Sequence, residues 1–488
     1  MTRLLVSASI GFFVFVVILT ITALSVRSGL MADDAVMLWA GAITAGDGGM
    51  PIGVIAAAYP TIPFLASTVI ELIAPAGMPG PALLAAGIGG LMASTWYLSL
   101  CAAGVPLLAA VGMTLLLILH PGLLRPAVNG PSEVLFVLFL YLLGRGLYDL
   151  RNRSGVSEVM TVGLALTGLA FSHPMGAAIA CAAMPFLIFA VRPILVANSA
   201  INVVLPLIFP TVFSAAAFAY LSWVFPGSGW SFLIAPAEGI STWTASFARS
   251  FGGGMTGVIT IDVAIAAAFG FVLGSPIVVA AMIRVWRRRP LVVPALVLFA
   301  ITVAAAAIAV ATGLFGDPVA VSAVPPVLAA IVIMYIPDLL TRPGIVLLLL
   351  AIGWFGGVIE YAIFDSRIIA HLDAALAPAG SDPAHTDALD LGGAIINRTG
   401  VMVDSVNAPA VVVGRGSATG LITPSDENFN LAILMSIVSA RFVAVPDPQS
   451  NVGARDRLNK AFPQLFQHAL PGYRLVYQNA NWRLFGRE

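Results

Sequence analysis

The run LLVSASIGFFVFVVILTITALSV (residues 4–26) decides the class of fold, because it is long and apolar enough to cross a lipid bilayer as one helix. A secretory signal peptide has a shorter apolar stretch and a small-residue cleavage site after it, and no such site follows cleanly here. We therefore interpret residues 4–26 as the first membrane span.

The rest of the chain repeats this pattern as far as residue 360. Hydrophobic residues make up 59% of the sequence, charged residues 9%, and the mean hydropathy is +1.00, whereas soluble domains are roughly 45–50% apolar. A shorter apolar piece, residues 104–119, contains Pro106 and is interpreted as a partial crossing. These runs predict a polytopic α-helical membrane protein of about 11–12 spans. The ten further candidate spans are residues 60–74, 82–103, 131–149, 158–172, 175–191, 199–225, 256–283, 291–313, 318–336 and 343–360.

The character of the sequence changes after Tyr361. Of 23 basic and 23 acidic residues, 21 lie between Ile363 and Glu488, which indicates a second solvent, water. We predict a membrane domain over residues 1–360 and a soluble α/β domain over residues 361–488. The pattern predicts strands at 401–403, 410–413, 442–445 and 474–477, helices at 428–437 and 455–462, a connecting loop at 377–391 and a terminal hairpin turning at 479–481.

Arginine placement predicts the orientation, because cytoplasmic loops retain an excess of Lys and Arg. With eleven crossings and residues 104–119 not fully traversing, one assignment puts nine arginines near span ends in the cytoplasm together. It leaves the loops at 27–59 and 226–255 and the C-terminal domain outside. The expected location is the bacterial inner (cell) membrane, with the C-terminal domain extracytoplasmic. The arginines are Arg3, Arg145, Arg151, Arg153, Arg284, Arg287, Arg288, Arg289 and Arg342.

Composition excludes nucleic-acid binding, and the two cysteines do not indicate a disulfide framework or a metal site. The net charge is zero and no basic block lies on a polar surface, so nucleic acid is not an expected partner. Cys101 and Cys181 both lie in apolar runs, which gives neither a disulfide framework nor the spacing of metal ligands.

The loop after the first span carries the most informative residues. Asp33 and Asp34 open a short amphipathic helix that bears Val36, Met37, Trp39 and Ile43 and that we expect at the membrane interface. An acidic pair in this position has a structural interpretation, because Asp is a preferred N-cap and favours the positive end of a helix. It also has a functional one, because an enzyme acting on lipid-linked substrates needs a carboxylate base at that depth.

Three features in order carry a family resemblance: the acidic pair after the first span, a Gly46-Asp47 ending to the amphipathic helix, and YPTIPF (residues 59–64) opening the second span. The sequence resembles the GT-C superfamily of membrane glycosyltransferases, which includes protein mannosyltransferases and the aminoarabinose transferase acting on lipid A. The resemblance covers roughly residues 1–190 and is architectural beyond them. It implies Asp33 as catalytic base, with Asp34 as the reserve candidate.

The resemblance also implies the substrates. The donor would be a sugar on a polyprenyl phosphate in the bilayer, and the acceptor an envelope glycan, lipid or protein. Some members of the superfamily use a divalent metal and others use none, so a metal stays open. His173 stands where relatives carry Arg in an Arg-Pro-x-Gly turn, which weakens a phosphate role for it. The candidate substrate-binding residues are Tyr59, Arg125, Glu133, His173, Glu238 and Arg249.

Each of these residues also has an interpretation that involves no function. A loop arginine is often held by lipid head groups or solvent, and an acid such as Glu133 is favoured at a helix N-terminus in any case.

Two other functions of the protein stay open. A transporter or flippase for a lipid-linked glycan predicts paired half-helices and charges deep in several spans, and a glycan polymerase or ligase predicts an arginine-rich outside loop.

Overall fold

Helix dominates the fold, as expected from the sequence. The computed structural model describes residues 2–27, 31–75, 78–153, 155–225, 259–312, 322–336, 339–364 and 383–488. The first eight helices are α1 (Thr2–Arg27), α2 (Asp33–Gly46), α3 (Ile52–Ala56), α4 (Thr61–Glu71), α5 (Gly80–Ala102), α6 (Leu107–Ile118), α7 (Pro121–Asn129) and α8 (Pro131–Asn152). The next eight are α9 (Val156–Ser172), α10 (Pro174–Ala190), α11 (Pro193–Val224), α12 (Ile259–Gly274), α13 (Pro276–Val285), α14 (Arg289–Thr312), α15 (Val324–Tyr335) and α16 (Pro343–Phe364).

Among the described residues, four helices are long and apolar enough to cross a membrane, and up to six if each of two bent pairs is one span. The α6–α7 pair bends by 59° and the α12–α13 pair by 90°. The run at 256–283, expected as one span, is therefore broken, at Ser275 before Pro276. The four long helices are Arg3–Val26, Gly80–Ala102, Ser199–Val224 and Pro290–Thr312.

The chain divides into two compact units. The first takes the described residues of Met1–Thr20, Tyr59–Ile62 and Ala85–Leu372, and the second those of Ile21–Ala58, Pro63–Leu84 and Asp373–Glu488. The loop after the first span thus belongs to the same unit as the C-terminal residues.

Small residues bring helices together in the first unit. A Cβ atom on Gly11 of α1 would lie 2.9 Å from the carbonyl oxygen of Gly90 on α5, and one on Gly90 would lie 2.7 Å from that of Gly11. One turn away, Ser7 and Ser94 each donate a hydroxyl hydrogen bond to the other's carbonyl, at 3.2 and 3.0 Å. This is how helices associate where apolar burial gives no preference between lipid and protein.

The second unit contains a five-stranded sheet in the order β2-β1-β3-β5-β4. β1 pairs in parallel with β2 and β3, and β5 pairs antiparallel with β3 and β4. The predicted terminal hairpin is confirmed, since Asn479 Oδ1 accepts the Asn481 and Trp482 amides at its turn. The strands are β1 (Val401–Met402), β2 (Leu421–Ile422), β3 (Phe442–Pro446), β4 (Tyr473–Gln478) and β5 (Trp482–Arg487).

Both faces of this sheet are covered. Val401 and Ala444 belong to one buried cluster, and Met402 and Val443 to another, as the period of two along a strand requires. The helices of this part are α17 (Pro383–Ala394), α18 (Pro409–Arg415), α19 (Glu427–Met435), α20 (Asn451–Arg455) and α21 (Arg457–Ala461).

Two expectations for this unit are wrong. The run 410–413 is not a strand but part of α18, which starts with Pro409 in its first turn and ends at Gly416 in the left-handed conformation. These are standard residues at the start and end of a helix. Their effect is larger here than the preference of the β-branched valines for a strand. The described part of the expected loop at 377–391 is also helical, since α17 begins at Pro383.

Two carboxyl groups lie wholly inside the second unit. Asp404 and Asp456 are both 0% exposed. Asp404 Oδ2 accepts the Arg457 amide at 2.9 Å, and Asp456 Oδ1 accepts the Asn459 amide at 2.8 Å. Within the described chain, the other oxygen of each carboxyl has no hydrogen-bond partner. Burial, with a smaller contribution from the charge of Asp404, raises the pKa of Asp456 to about 7.

This burial predicts that the second unit is more stable in mild acid. The pKa of Asp456 rises from 3.8 to about 7 on folding. Its protonated form therefore contributes to the stability of the second unit; this contribution is fully present below pH 3.8 and is lost as pH rises through 7. The free energy of opening should fall by on the order of 2–4 kcal/mol between pH 4 and pH 8, measured by hydrogen exchange of peptides covering 442–462. Asp456→Asn should flatten this dependence, whereas the exposed control Asp390→Asn should leave it; an unchanged slope in Asp456→Asn would contradict the assignment.

Candidate active site

The predicted catalytic pair lies in the first turn of α2. The N-cap residue is Ala32, which is extended and has no side-chain capping bond, so the N-cap interpretation of the acids is wrong. Their position near the positive end of the helix is confirmed. Both are exposed, and the side chain of Asp33 is 86% exposed. Asp33 is therefore accessible to a substrate while its backbone is fixed by the helix.

A histidine that the sequence did not single out pairs with Asp33. Nε2 of His385 lies 3.0 Å from Oδ1 of Asp33, and the His385 side chain is only 21% exposed. His385 stands in the first turn of α17, in a stretch expected to be a loop. The signal that could have placed it on a helix is Pro383 followed by apolar residues at 388, 391 and 395, all of which are buried.

The terminal hairpin holds α17 in place. The side-chain amide of Asn479 donates to the Asp387 carbonyl at 2.8 Å, and that of Asn481 donates to Asp387 Oδ2 at 2.7 Å. Leu391 and Ile395 are fully buried in the cluster that also contains Trp482. His385 is thus carried by a helix with polar and apolar attachments to the sheet.

The apolar face of α2 is buried in the second unit. Val36, Trp39 and Ile43 belong to the same cluster as Val411 of α18, and α2 packs against α18. These residues were expected at a membrane interface, and the structure instead places them in a protein core. Met37, on the other side of the helix, is exposed.

Polar contacts fix the C-terminal end of α2. Asp47, the acid of the Gly-Asp ending, accepts hydrogen bonds at Oδ2 from the Ser417 hydroxyl at 2.8 Å and the Ala418 amide at 2.6 Å. Glu71 accepts the Trp39 indole N–H at 3.3 Å and the Gly80 amide at 2.6 Å. The Gly-Asp feature of the resemblance therefore has a structural role here, as a contact with the loop after α18.

Other predicted residues gather in the first unit, where α9 ends and α10 begins. His173 is buried and caps α10, because its Nδ1 accepts the Met175 amide at 3.0 Å. That bond assigns the proton of the neutral ring to Nε2. Both Glu133 and Arg125 are close enough to His173 to interact with it electrostatically. Arg125 and Glu133 therefore belong to the electrostatic environment of His173.

Tyr59 also contacts the last turn of α9, because its hydroxyl donates a hydrogen bond to the Ala170 carbonyl at 3.0 Å. Its ring lies 6.1 Å from that of Phe218. Glu133 in turn accepts the Asn129 side-chain amide at 2.7 Å. Tyr59 and Glu133 are thus engaged in protein contacts. The remaining two candidates, Glu238 and Arg249, lie outside the described residues.

Comparison with known proteins gives no relative: no protein-family model, curated protein or solved structure matches the chain. Within the described ranges, no three His, Cys, Asp or Glu side chains are grouped as a metal site would need. We assign no step to a metal.

Asp47 gives a direct test of how α2 is held. Asp47→Ala removes the acceptor of two hydrogen bonds and leaves the Ala418 amide without its partner, so it should destabilise the attachment by about 1–3 kcal/mol. Hydrogen exchange at residues 414–420 should accelerate accordingly. Ser417→Ala removes one of the two bonds to Asp47, and also the bond that the Ser417 hydroxyl accepts from the Thr419 amide at 3.1 Å. Because it leaves the Ala418 amide paired with Asp47, it should have a smaller effect at Ala418. Equal protection in Asp47→Ala and the unmodified protein would show that the contact does not hold the loop.

Proposed function

We propose that this protein is an inverting glycosyltransferase of the GT-C type, and that Asp33 is its catalytic base. The observation that carries the proposal is the setting of this carboxylate: it is 86% exposed, sits in the first turn of a helix, and has one oxygen 3.0 Å from an imidazole nitrogen. An exposed carboxylate in a defined position is what general-base catalysis requires.

In the proposed reaction an acceptor hydroxyl attacks the anomeric carbon of the donor sugar. The new carbon–oxygen bond forms as the bond to phosphate breaks, and the phosphate leaves with that electron pair. Asp33 takes the proton of the hydroxyl. The donor is a sugar carried on a polyprenyl phosphate, and the acceptor is an envelope glycan, lipid or protein outside the cytoplasm.

We assign donor binding to the group formed by Arg125, Glu133 and His173. A phosphate needs positive charge and hydrogen-bond donors, and Arg125 is the positively charged member of the group. Arg125 and Glu133 both act electrostatically on His173, which supports considering the three residues together. Glu133 would then orient Arg125 or bind sugar hydroxyls.

The proposed setting is a bacterial inner membrane crossed by 11 or 12 spans, roughly the number that the apolar runs allow at about 20 residues each. The four to six candidate spans, together with shorter apolar helices of 10–17 residues, support the multi-pass part of this proposal. Arginine distribution supports an extracytoplasmic C-terminal domain.

The two acids can be separated by single isosteric substitutions. Asp33→Asn removes the base and should lower kcat for transfer from labelled polyprenyl-phosphate sugars by at least about 100-fold. Asp34→Asn serves as the matched control and should retain turnover within a few-fold. Loss of turnover only in Asp34→Asn would transfer the catalytic assignment to that residue.

Arg125 is tested by its effect on donor binding. Arg125→Gln removes a phosphate contact and should raise KM for the donor about tenfold or more, which corresponds to the 1.5–3 kcal/mol of a charged hydrogen bond. Arg153→Gln, at an exposed arginine, should leave KM unchanged. If KM and kcat of Arg125→Gln both equal the wild-type values, Arg125 does not bind the donor.

A second candidate function, transport of a lipid-linked glycan, is favoured by the two bent helix pairs. One break lies at His120, whose Nε2 is 3.1 Å from the Gly353 carbonyl, and the other at Ser275. Both residues line one small cavity. Meeting half-helices are typical of transporters.

Reconstitution distinguishes these two functions. Proteoliposomes supplied with a polyprenyl-phosphate sugar and an acceptor glycan should release polyprenyl phosphate if the protein is a transferase. Movement of the intact lipid-linked sugar between leaflets, without any release, would instead support transport.

A further inference from the structure

The contact between Asp33 and His385 joins two segments that are far apart in the sequence. Asp33 opens α2, which follows the first span, and His385 lies in the first turn of α17. The distance from Nε2 to Oδ1 is 3.0 Å, within hydrogen-bond range. An imidazole N–H donates well to a carboxylate, whether the ring is neutral or protonated.

Both partners of this contact are held by separate attachments. Asp47 and the buried face of α2 fix the helix that carries Asp33. Asp387, two residues after His385, is held by Asn481 at 2.7 Å. The contact is therefore between two pre-positioned helix ends rather than between two free side chains, which reduces the entropy lost in forming it.

The side chain of Asp33 is far more exposed than that of His385. Asp33 is 86% exposed and His385 is 21% exposed, so the carboxylate is the group that a substrate can reach. The imidazole approaches it from the protein side. Other charged groups lie on the elements packed around the pair: Asp34 on α2, Asp387 and Asp390 on α17, Arg415 on α18, and Arg483 and Arg487 on β5.

Two of these neighbouring charges are engaged elsewhere. The Arg415 guanidinium donates to the Ile395, Arg398 and Ser417 carbonyls. The Arg483 guanidinium lies over the Phe466 ring, 4.4 Å from its centre. Nε2 of His385 lies 3.0 Å from Oδ1 of Asp33.

We propose that His385 is a positioning residue for Asp33, an inference that rests on the proposed glycosyltransferase function. Its N–H holds Oδ1 of the carboxylate and thereby orients the carboxylate toward the acceptor hydroxyl. A positive charge on the imidazole at this distance attracts the carboxylate, so the contact depends on the protonation of His385. The C-terminal segment therefore supplies part of the acid–base machinery.

Kinetics of the full-length protein in lipid test this role. His385→Ala should lower kcat about tenfold or more, because misplacement of a catalytic group by about 1 Å has effects up to 100-fold, and KM for the donor should stay unchanged. His385→Gln, which restores an N–H donor, should recover most of kcat but lose one titration from the acidic limb of the pH profile. His468→Gln, at an exposed histidine of the same unit, should behave as wild type.

Histidine-selective NMR tests the contact itself without any substrate. The His385 ring signal, assigned by its absence in His385→Gln, should titrate at a lower pH in Asp33→Asn than in wild type, because the carboxylate no longer stabilises the protonated ring. Asp390→Asn should not shift it.

These two experiments separate the possible failures. An unshifted His385 titration in Asp33→Asn would overturn the pairing. A kcat for His385→Ala equal to that of wild type, or a His385→Gln variant no better than His385→Ala, would overturn the positioning role. A shifted titration in a protein that transfers no sugar from any polyprenyl-phosphate donor would leave the pairing in place and overturn the glycosyltransferase function, together with the positioning role that rests on it.

Discussion

Burial of the apolar face of α2 is the interaction on which the candidate active site depends. Val36, Trp39 and Ile43 lie in one core with residues of α17, α18 and the sheet. Burying three such side chains contributes on the order of 5 kcal/mol, more than the neighbouring hydrogen bonds are expected to add. Because α2 is held in this way, its first turn is presented in a fixed position, and Asp33 meets His385.

The sequence predicted the large features of the fold because they depend on local composition. A long apolar run such as residues 4–26 can satisfy its backbone in lipid only as a helix, and α1 has that form. The terminal hairpin was also predictable, since alternating residues on both sides of an Asn-rich turn favour paired strands. Short apolar runs are different. Residues 410–413 suit a strand or a buried helix equally, and here the flanking Pro409 and Gly416 decided the outcome.

The candidate site was predictable only in part. The acidic pair stands out because charge is rare in the N-terminal half of the chain. Its partner does not, because 352 residues separate Asp33 from His385 in the numbering and no local pattern connects them. The same limit applies to the interfacial interpretation of α2: its amphipathic pattern shows that one face is buried, but not whether lipid or protein buries it. In the first unit, grouping of Arg125, Glu133 and His173 follows from how α7, α8 and α10 pack.

The most direct measurement is hydrogen exchange of the α2 amides in the full-length protein in nanodiscs, compared with a Val411→Asp variant. Val411 is fully buried in the core shared with α2, and an unpaired carboxylate there is expected to cost several kcal/mol. If the second unit holds α2, the substitution should accelerate exchange at residues 35–46 by at least about 100-fold, a change equivalent to roughly 2.7 kcal/mol. Undiminished protection of α2 in Val411→Asp would contradict the account, because it would show that something other than the C-terminal segment holds this helix in place.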